Sequence, residues 1–243
     1  SKEGIKGPNA FVLTIECFDE FIKYNNIKIT NISINVDDLS DLHKKGLYIR
    51  TEISNGVFPD NIKDGILSNY KKLSDNYTNM DVAVRSSSTA EDLPDASFAG
   101  LQESYLNVQG EKQLLDSIKK CFASLYTDRA ISYRKTMKYD KHISISVCVQ
   151  KMVRSDLGSA GVAFSIDPET GFKDAIVINS SWGLGEMVVS GKIKPDEIIV
   201  FKKTLNDKNR PIIDKKIGNK THKMIYGINE KTLIVKVDDN KIN

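Results

Sequence analysis

The 243-residue chain is 40% hydrophobic, enough for one large domain or for two small lobes with a core each. Charged residues make up 28% and nearly cancel to a net charge of +3, with lysines spread along the chain, which argues against a nucleic-acid binder. No stretch approaches the ~18 apolar residues of a membrane span, and no signal-peptide pattern opens the chain. Cys17, Cys121 and Cys148 are far apart with no C-x-x-C pair. They read as reduced thiols in a cytoplasmic protein, Cys121 and Cys148 as buried bystanders in apolar patterns.

In chain order, Phe11 to Leu13 is strand-like, and Thr14 is placed to cap a helix carrying Ile15, Phe18, Phe21 and Ile22 on one face. A helix is expected over Asp37 to Leu47. Another starts at Pro59-Asp60, with Ile62, Ile66, Leu67, Tyr70 and Leu73 inside. The apolar strand Val82–Val84 then runs into Arg85, four hydroxyl residues (Ser86 to Thr89), an acidic proline turn and the small-residue loop Asp95 to Gly100. A second strand-like run, Tyr105 to Val108, follows. An arginine fork at a strand end beside a loop whose amides are accessible suits an anion. The same residues also suit a plainer role, since Ser/Thr clusters ordinarily cap helices or fill turns and such an arginine is ordinarily a solvated charge. Neither a Walker-type nor a G-x-G-x-x-G glycine spacing occurs here.

Residues 111–137 carry the clearest helical period: Leu114, Leu115, Ile118, Cys121, Phe122, Leu125 and Tyr126. Asp128, Arg129 and Arg134 read as surface ion-pairing residues. Residues 143–153 alternate, Ile143, Ile145, Val147 and Val149 against Ser144, Ser146, Cys148 and Gln150, as in a half-buried strand. Further β-rich runs lie at Gly161–Ile166 and Ala175–Asn179, separated by the turn signal Asp167-Pro168-Glu169-Thr170-Gly171. Then comes Trp182-Gly183-Leu184-Gly185-Glu186, in which the glycines admit backbone shapes closed to other residues. Alone, that G-x-G-E is weak evidence for a ligand-facing glutamate. Residues 204–243 read as a solvent-facing meander with short β patterns. His43, His142 and His222 stand in polar surroundings.

The segment VRSSSTAEDLPDASFAGLQESYLNVQG closely resembles the pattern VRSSATAEDxPDASFAGQQxTYLNVxG of the phosphoenolpyruvate synthase / pyruvate phosphate dikinase family, with Ser88 for Ala and Leu101 for Gln. FASLYTDRAISYR and GVAFSIDPETG…SSWGLGEMVVSGKIKPDE are similar to the same family, so that the resemblance runs over about residues 8–228. It implies an α+β, ATP-grasp-like fold whose two lobes clamp ATP between antiparallel sheets, with lobes expected at 1–142 and 143–243. It implies ATP and Mg²⁺ as cofactors. It also implies transfer through a phosphohistidine on a separate domain to pyruvate, giving phosphoenolpyruvate, AMP and phosphate.

By resemblance Arg85 is catalytic and contacts the transferring phosphates. Ser97, Phe98, Ala99 and Gly100 form the loop over them, Gln150, Lys151, Met152 and Val153 lie along the adenine, and Glu186 is a cleft glutamate. No metal ligand is assigned. The family's early lysine motif, its late metal-binding glutamate motif and its phosphohistidine motif are not found in this sequence. The chain is therefore expected to be an ATP-binding fragment, incomplete at both ends and inactive by itself. The alternatives are the same region of a rifampin phosphotransferase and a non-catalytic nucleotide-binding module.

Overall fold

A computed structural model describes residues 4, 7–29, 34–74, 80–88, 92–93, 96–97, 103–137, 143–206, 210–227 and 232–242. The chain divides into two units, Ser1–Met152 and Val153–Asn243. The first contains β1 (Ala10–Leu13), α1 (Ile15–Tyr24), α2 (Leu39–Asn55), α3 (Asp60–Leu73), β2 (Val82–Ser88), and the two-residue strands β3 (Asp92–Leu93) and β4 (Ala96–Ser97). It continues with β5 (Ser104–Val108), α4 (Gly110–Ser124), α5 (Asp128–Thr136) and β6 (Ile145–Lys151).

Apolar spacing places the helices. Phe18 and Phe21 of α1 are fully buried, and so are Leu114, Ile118 and Phe122 of α4. Phe122 meets Phe18, Phe21 and Phe58 with ring centroids 5.1, 5.5 and 6.2 Å apart, the tilted geometry aromatic rings favour. Helix α2 runs well past Leu47. Asp38 caps it by accepting from Ser40 N and Asp41 N. Gly46 is tolerated inside it because a Cβ there would press on Arg50, Asp128 and Tyr126 at 3.0–3.1 Å.

The single helix expected over 111–137 is two. It breaks after α4, and Thr127 restarts the chain as α5, its hydroxyl accepting from Ala130 N at 3.2 Å. The carbonyls freed at the break find arginines: Arg134 donates to Leu125 O and lies over the Tyr126 ring, and Arg50 donates to Tyr126 O. Arg134 therefore serves the chain break, not a surface ion pair. Asp128 does form an ion pair, with Arg50 at 3.1 Å, and a hydrogen bond with His43 Nδ1 at 2.8 Å, which tie α5 to α2.

The sheet of this unit has the order β1-β6-β2-β5 and is antiparallel throughout. One face carries the fully buried Val82, Val84, Ile145, Val147 and Val149 against the helices. The expected boundary at 142/143 is displaced to Met152/Val153 because β6 pairs with β1 (Ala10 opposite Gln150) and β2 (Val84 opposite Val149) and so belongs to the first sheet.

The second unit has β7 (Ser159–Phe164), β8 (Ala175–Trp182), the short helix α6 (Glu186–Val189), β9 (Asp196–Phe201), β10 (Ile212–Lys216), β11 (His222–Tyr226) and β12 (Thr232–Lys236). Strands β10-β9-β8-β7 form an antiparallel sheet and β11-β12 a hairpin. Among the described residues, no helix is long and apolar enough to cross a membrane.

Candidate functional site

Strand alternation decides what the uncovered face of the first sheet presents. Residues directly opposite in an antiparallel pair share a face. Arg85 is opposite Cys148 on one side and Ser104 on the other, and Cys148 is in turn opposite Val12. Val12, Cys148, Arg85 and Ser104 thus form one row across the sheet. The next row is Ala10, Gln150 and Ala83. Arg85 and Gln150 are diagonal neighbours, which puts their Cα atoms roughly 7–8 Å apart. Arg85 is exposed and Gln150 half-buried. A guanidinium fork thus stands exposed on this face beside Cys148, Ser104 and Gln150, while Ala83 in the next row is buried.

Strand β5 meets β2 through a register shift between the Val82 and Val84 pairings. Asn107 absorbs it at φ 57, a left-handed conformation that asparagine reaches more readily than most residues. The bulge lets Ser104 fall opposite Arg85.

Of the adenine-side residues, only Gln150 shares Arg85's face by register; Lys151 is opposite Val82 and belongs to the other. Lys151 N donates to Asn9 O at 2.9 Å and Met152 N to Asp81 O at 3.0 Å, so both amides are engaged within the first unit. Val153 is exposed and its carbonyl accepts from the Tyr226 hydroxyl at 3.2 Å. Ser97 lies in β4, opposite Asp92. Phe98, Ala99 and Gly100 lie outside the described residues, as do Thr89 and His142.

Cys148, expected to be buried, is half-exposed beside Arg85 on the open face. Cys121 is buried, with its sulfur 3.9 Å from Val84 O, and burial raises its thiol to about 12, far from a reactive thiolate.

Glu186 belongs to the second unit, exposed at the first position of α6. The loop leading to it is tightly set. Gly183 has φ 81, and a Cβ there would lie 2.4 Å from Met224 O. Leu184 N donates to the same carbonyl at 2.9 Å, and the Trp182 indole N–H donates to Lys241 O at 2.7 Å. The segment read as a solvent-facing meander therefore holds this loop. Lys220, one of many lysines in the sequence, is only 3% exposed. Nothing in its neighbourhood along the chain marks it as buried, because its partner is Asp196. Among the described residues, no three His, Cys, Asp or Glu side chains gather where they could hold a metal ion.

These features define an α+β protein of two units, each built on a four-stranded antiparallel sheet, the first presenting an arginine on its uncovered face. The model of the family "Pyruvate phosphate dikinase, AMP/ATP-binding domain" matches residues 1–243, and the chain belongs to that family. It is similar to the phosphoenolpyruvate synthase of Aquifex aeolicus, 52% identical over 96% of this chain and 28% of the relative. The phosphoenolpyruvate synthase of Helicobacter pylori is 52% identical over 92% of this chain and 28% of the relative. That of Escherichia coli is 43% identical over 97% of this chain and 31% of the relative. The chain thus spans under a third of the length of these curated relatives.

Proposed function

We propose that this chain is the ATP-binding portion of a phosphoenolpyruvate synthase and that its two units are the lobes of an ATP-grasp-type domain. On this reading the whole protein is a cytoplasmic pyruvate, water dikinase. A pyrophosphoryl group passes from ATP to a histidine on a further domain, releasing AMP; water then removes the outer phosphate, and the phosphoryl group left on the histidine passes to pyruvate to give phosphoenolpyruvate.

The observation that carries the reading is the position of Arg85 on the open face of the first sheet, one row from Gln150. Phosphoryl transfer asks little covalent chemistry of a protein. It asks for positive charge held beside oxygens on which charge builds. A guanidinium fork projecting from a rigid strand meets that need with its direction fixed by the sheet. Gln150, one row from Arg85, is assigned to the purine or ribose side of the nucleotide. Lys151, Met152 and Val153 are assigned to the adenine side with Gln150; the amides of Lys151 and Met152 are engaged within the first unit and would not supply the donor to the adenine edge. Ser97 to Gly100 are assigned to the loop over the phosphates, and Glu186 to a polar contact with the nucleotide. Magnesium, where present, would neutralise phosphate charge; the residues described here are not assigned to hold it.

In the full native polypeptide, Arg85→Ala lowers AMP formation from ATP by ~10²- to 10³-fold, the usual cost of one transition-state charge donor, and leaves the circular dichroism spectrum unchanged. Turnover close to that of the wild type would remove Arg85 from the site.

A further inference from the structure

Lys220 is a buried charge that the proposed chemistry does not use. Its ammonium donates to Asp196 Oδ1 and, at 3.0 Å, to Gly218 O, while Gly218 N donates to the same carboxylate oxygen at 2.8 Å. Gly218 itself is pressed onto the neighbouring chain: a Cβ would lie 2.1 Å from Lys194 O and 2.2 Å from Pro195 O. The start of β9 and the approach to β11 are therefore latched together.

A latch of this kind fixes register. A strand that slips by one residue turns every side chain to the opposite face, and a buried ammonium with one carboxylate partner resists the slip. Here the register matters at Met224 of β11, whose carbonyl receives Leu184 N and lies against Gly183. The position of β11 along its own axis thus sets where Gly183, Gly185 and Glu186 sit. Charge is a costly way to fill a buried place where an apolar side chain would stabilise as well.

We propose that Lys220, through Asp196 and β11, is a positioning residue for the Gly183–Glu186 loop and thereby for the nucleotide contact made by Glu186. This rests on the assignment of Glu186 to the nucleotide site made above.

The test is a double-mutant cycle in the full native polypeptide, read by calorimetric titration with ATP in the presence of magnesium, with thermal unfolding measured on every variant. Glu186→Gln is expected to weaken ATP binding, and Lys220→Met to weaken it by ~10- to 100-fold through misplacement of the loop. In the Glu186→Gln background, Lys220→Met then changes affinity by less than about twofold, because the group it positions is gone. Its effect on the unfolding temperature stays the same in both backgrounds. If Lys220→Met does not fold, Lys220→Met with Asp196→Asn removes both charges together and replaces it in the cycle. Equal losses of affinity in both backgrounds would overturn the positioning role and leave Lys220 as a stabilising residue only. An unchanged affinity in Glu186→Gln alone would overturn the assignment of Glu186 instead, and the positioning role with it.

Discussion

The two units reach order by different physical means. In the first, side chains from α1, α2, α3, α4, β2 and β6 form one continuous apolar core, with Phe18, Phe21, Phe122, Ile49 and Ile53 all but fully buried. In the second, no strand of the sheet is covered along its whole length, and β10 is exposed throughout. To a smaller set of buried apolar side chains, among them Val177, Leu184, Met187 and Met224, the second unit adds close backbone approach and polar locking. Gly161, Gly183 and Gly218 each leave no room for a Cβ, which would come within 2.2, 2.4 and 2.1 Å of a carbonyl oxygen. Asp156 is gripped by both arms of Arg154 at 2.8 and 2.9 Å, and Lys220 is shut in with Asp196. The first unit is held mainly by area removed from water, the second more by specific partners. They should therefore fail under different substitutions.

The largest effect is expected from the apolar core. Phe122→Ala removes the ring at the centre of the aromatic cluster and should cost about 3–5 kcal/mol. Hydrogen exchange followed by mass spectrometry should show protection lost from β2, β6 and the helices while β8 and β9 keep theirs. Equal loss in both units would mean that the chain unfolds as a single cooperative block.

Gly218→Ala is the counterpart in the second unit. One methyl group is forced against two carbonyl oxygens, and overpacking of that kind costs about 1–3 kcal/mol. Protection should fall in β9, β11 and β12 and hold in β2 and β6. An unchanged exchange pattern would show that the Lys194–Pro195 segment moves aside freely.

The same contrast explains which parts of the molecule could be read from the sequence. Side-chain burial writes a period into the chain, so α1, α3 and the strand β6 were legible from Phe18/Phe21, from Ile62/Ile66/Tyr70 and from the alternation of Ile145, Val147 and Val149. Pairing between distant segments writes no such period. Val82-Ala83-Val84 is apolar without alternation, so the face that Arg85 takes follows only from its pairing with Cys148. For the same reason the lobe boundary was set at 142/143, although β6 is an interior strand of the first sheet. The break between α4 and α5 was hidden because Leu125 and Tyr126 continue the apolar period through it, and both are buried. Lys220 and Gly218 were hidden more deeply, since what fixes them are carbonyls and a carboxylate from another strand. Of the candidate site, then, the residues were named by resemblance, and the face that Arg85 and Gln150 share follows only from strand pairing.

The effects that depend on pH lie in two carboxylates, one in each unit. Arg154's fork holds Asp156 below the ordinary carboxylate value, and its side chain is 7% exposed. Asp128 is lowered first by the hydrogen bond to His43 and then by Arg50, but its side chain is 39% exposed. For both, the folded-state value lies below the unfolded one. Their contribution is therefore complete above the unfolded value of about 3.9 and is lost as pH falls through the folded value. Acid should weaken both units, the second through Asp156 more than the first through Asp128. Asp156→Asn should cost about 1–3 kcal/mol at neutral pH, the range for hydrogen bonds to a charged group. It should also flatten the acid limb of the second unit's stability. Asp128→Asn should cost less than about 1 kcal/mol, as solvent screens an open pair. Urea unfolding at pH 7 and pH 3.5, with exchange resolving the two units, measures both. An acid limb flattened as much by Asp128→Asn as by Asp156→Asn would show that polar locking matters equally in the two units, and the division drawn between them would not hold.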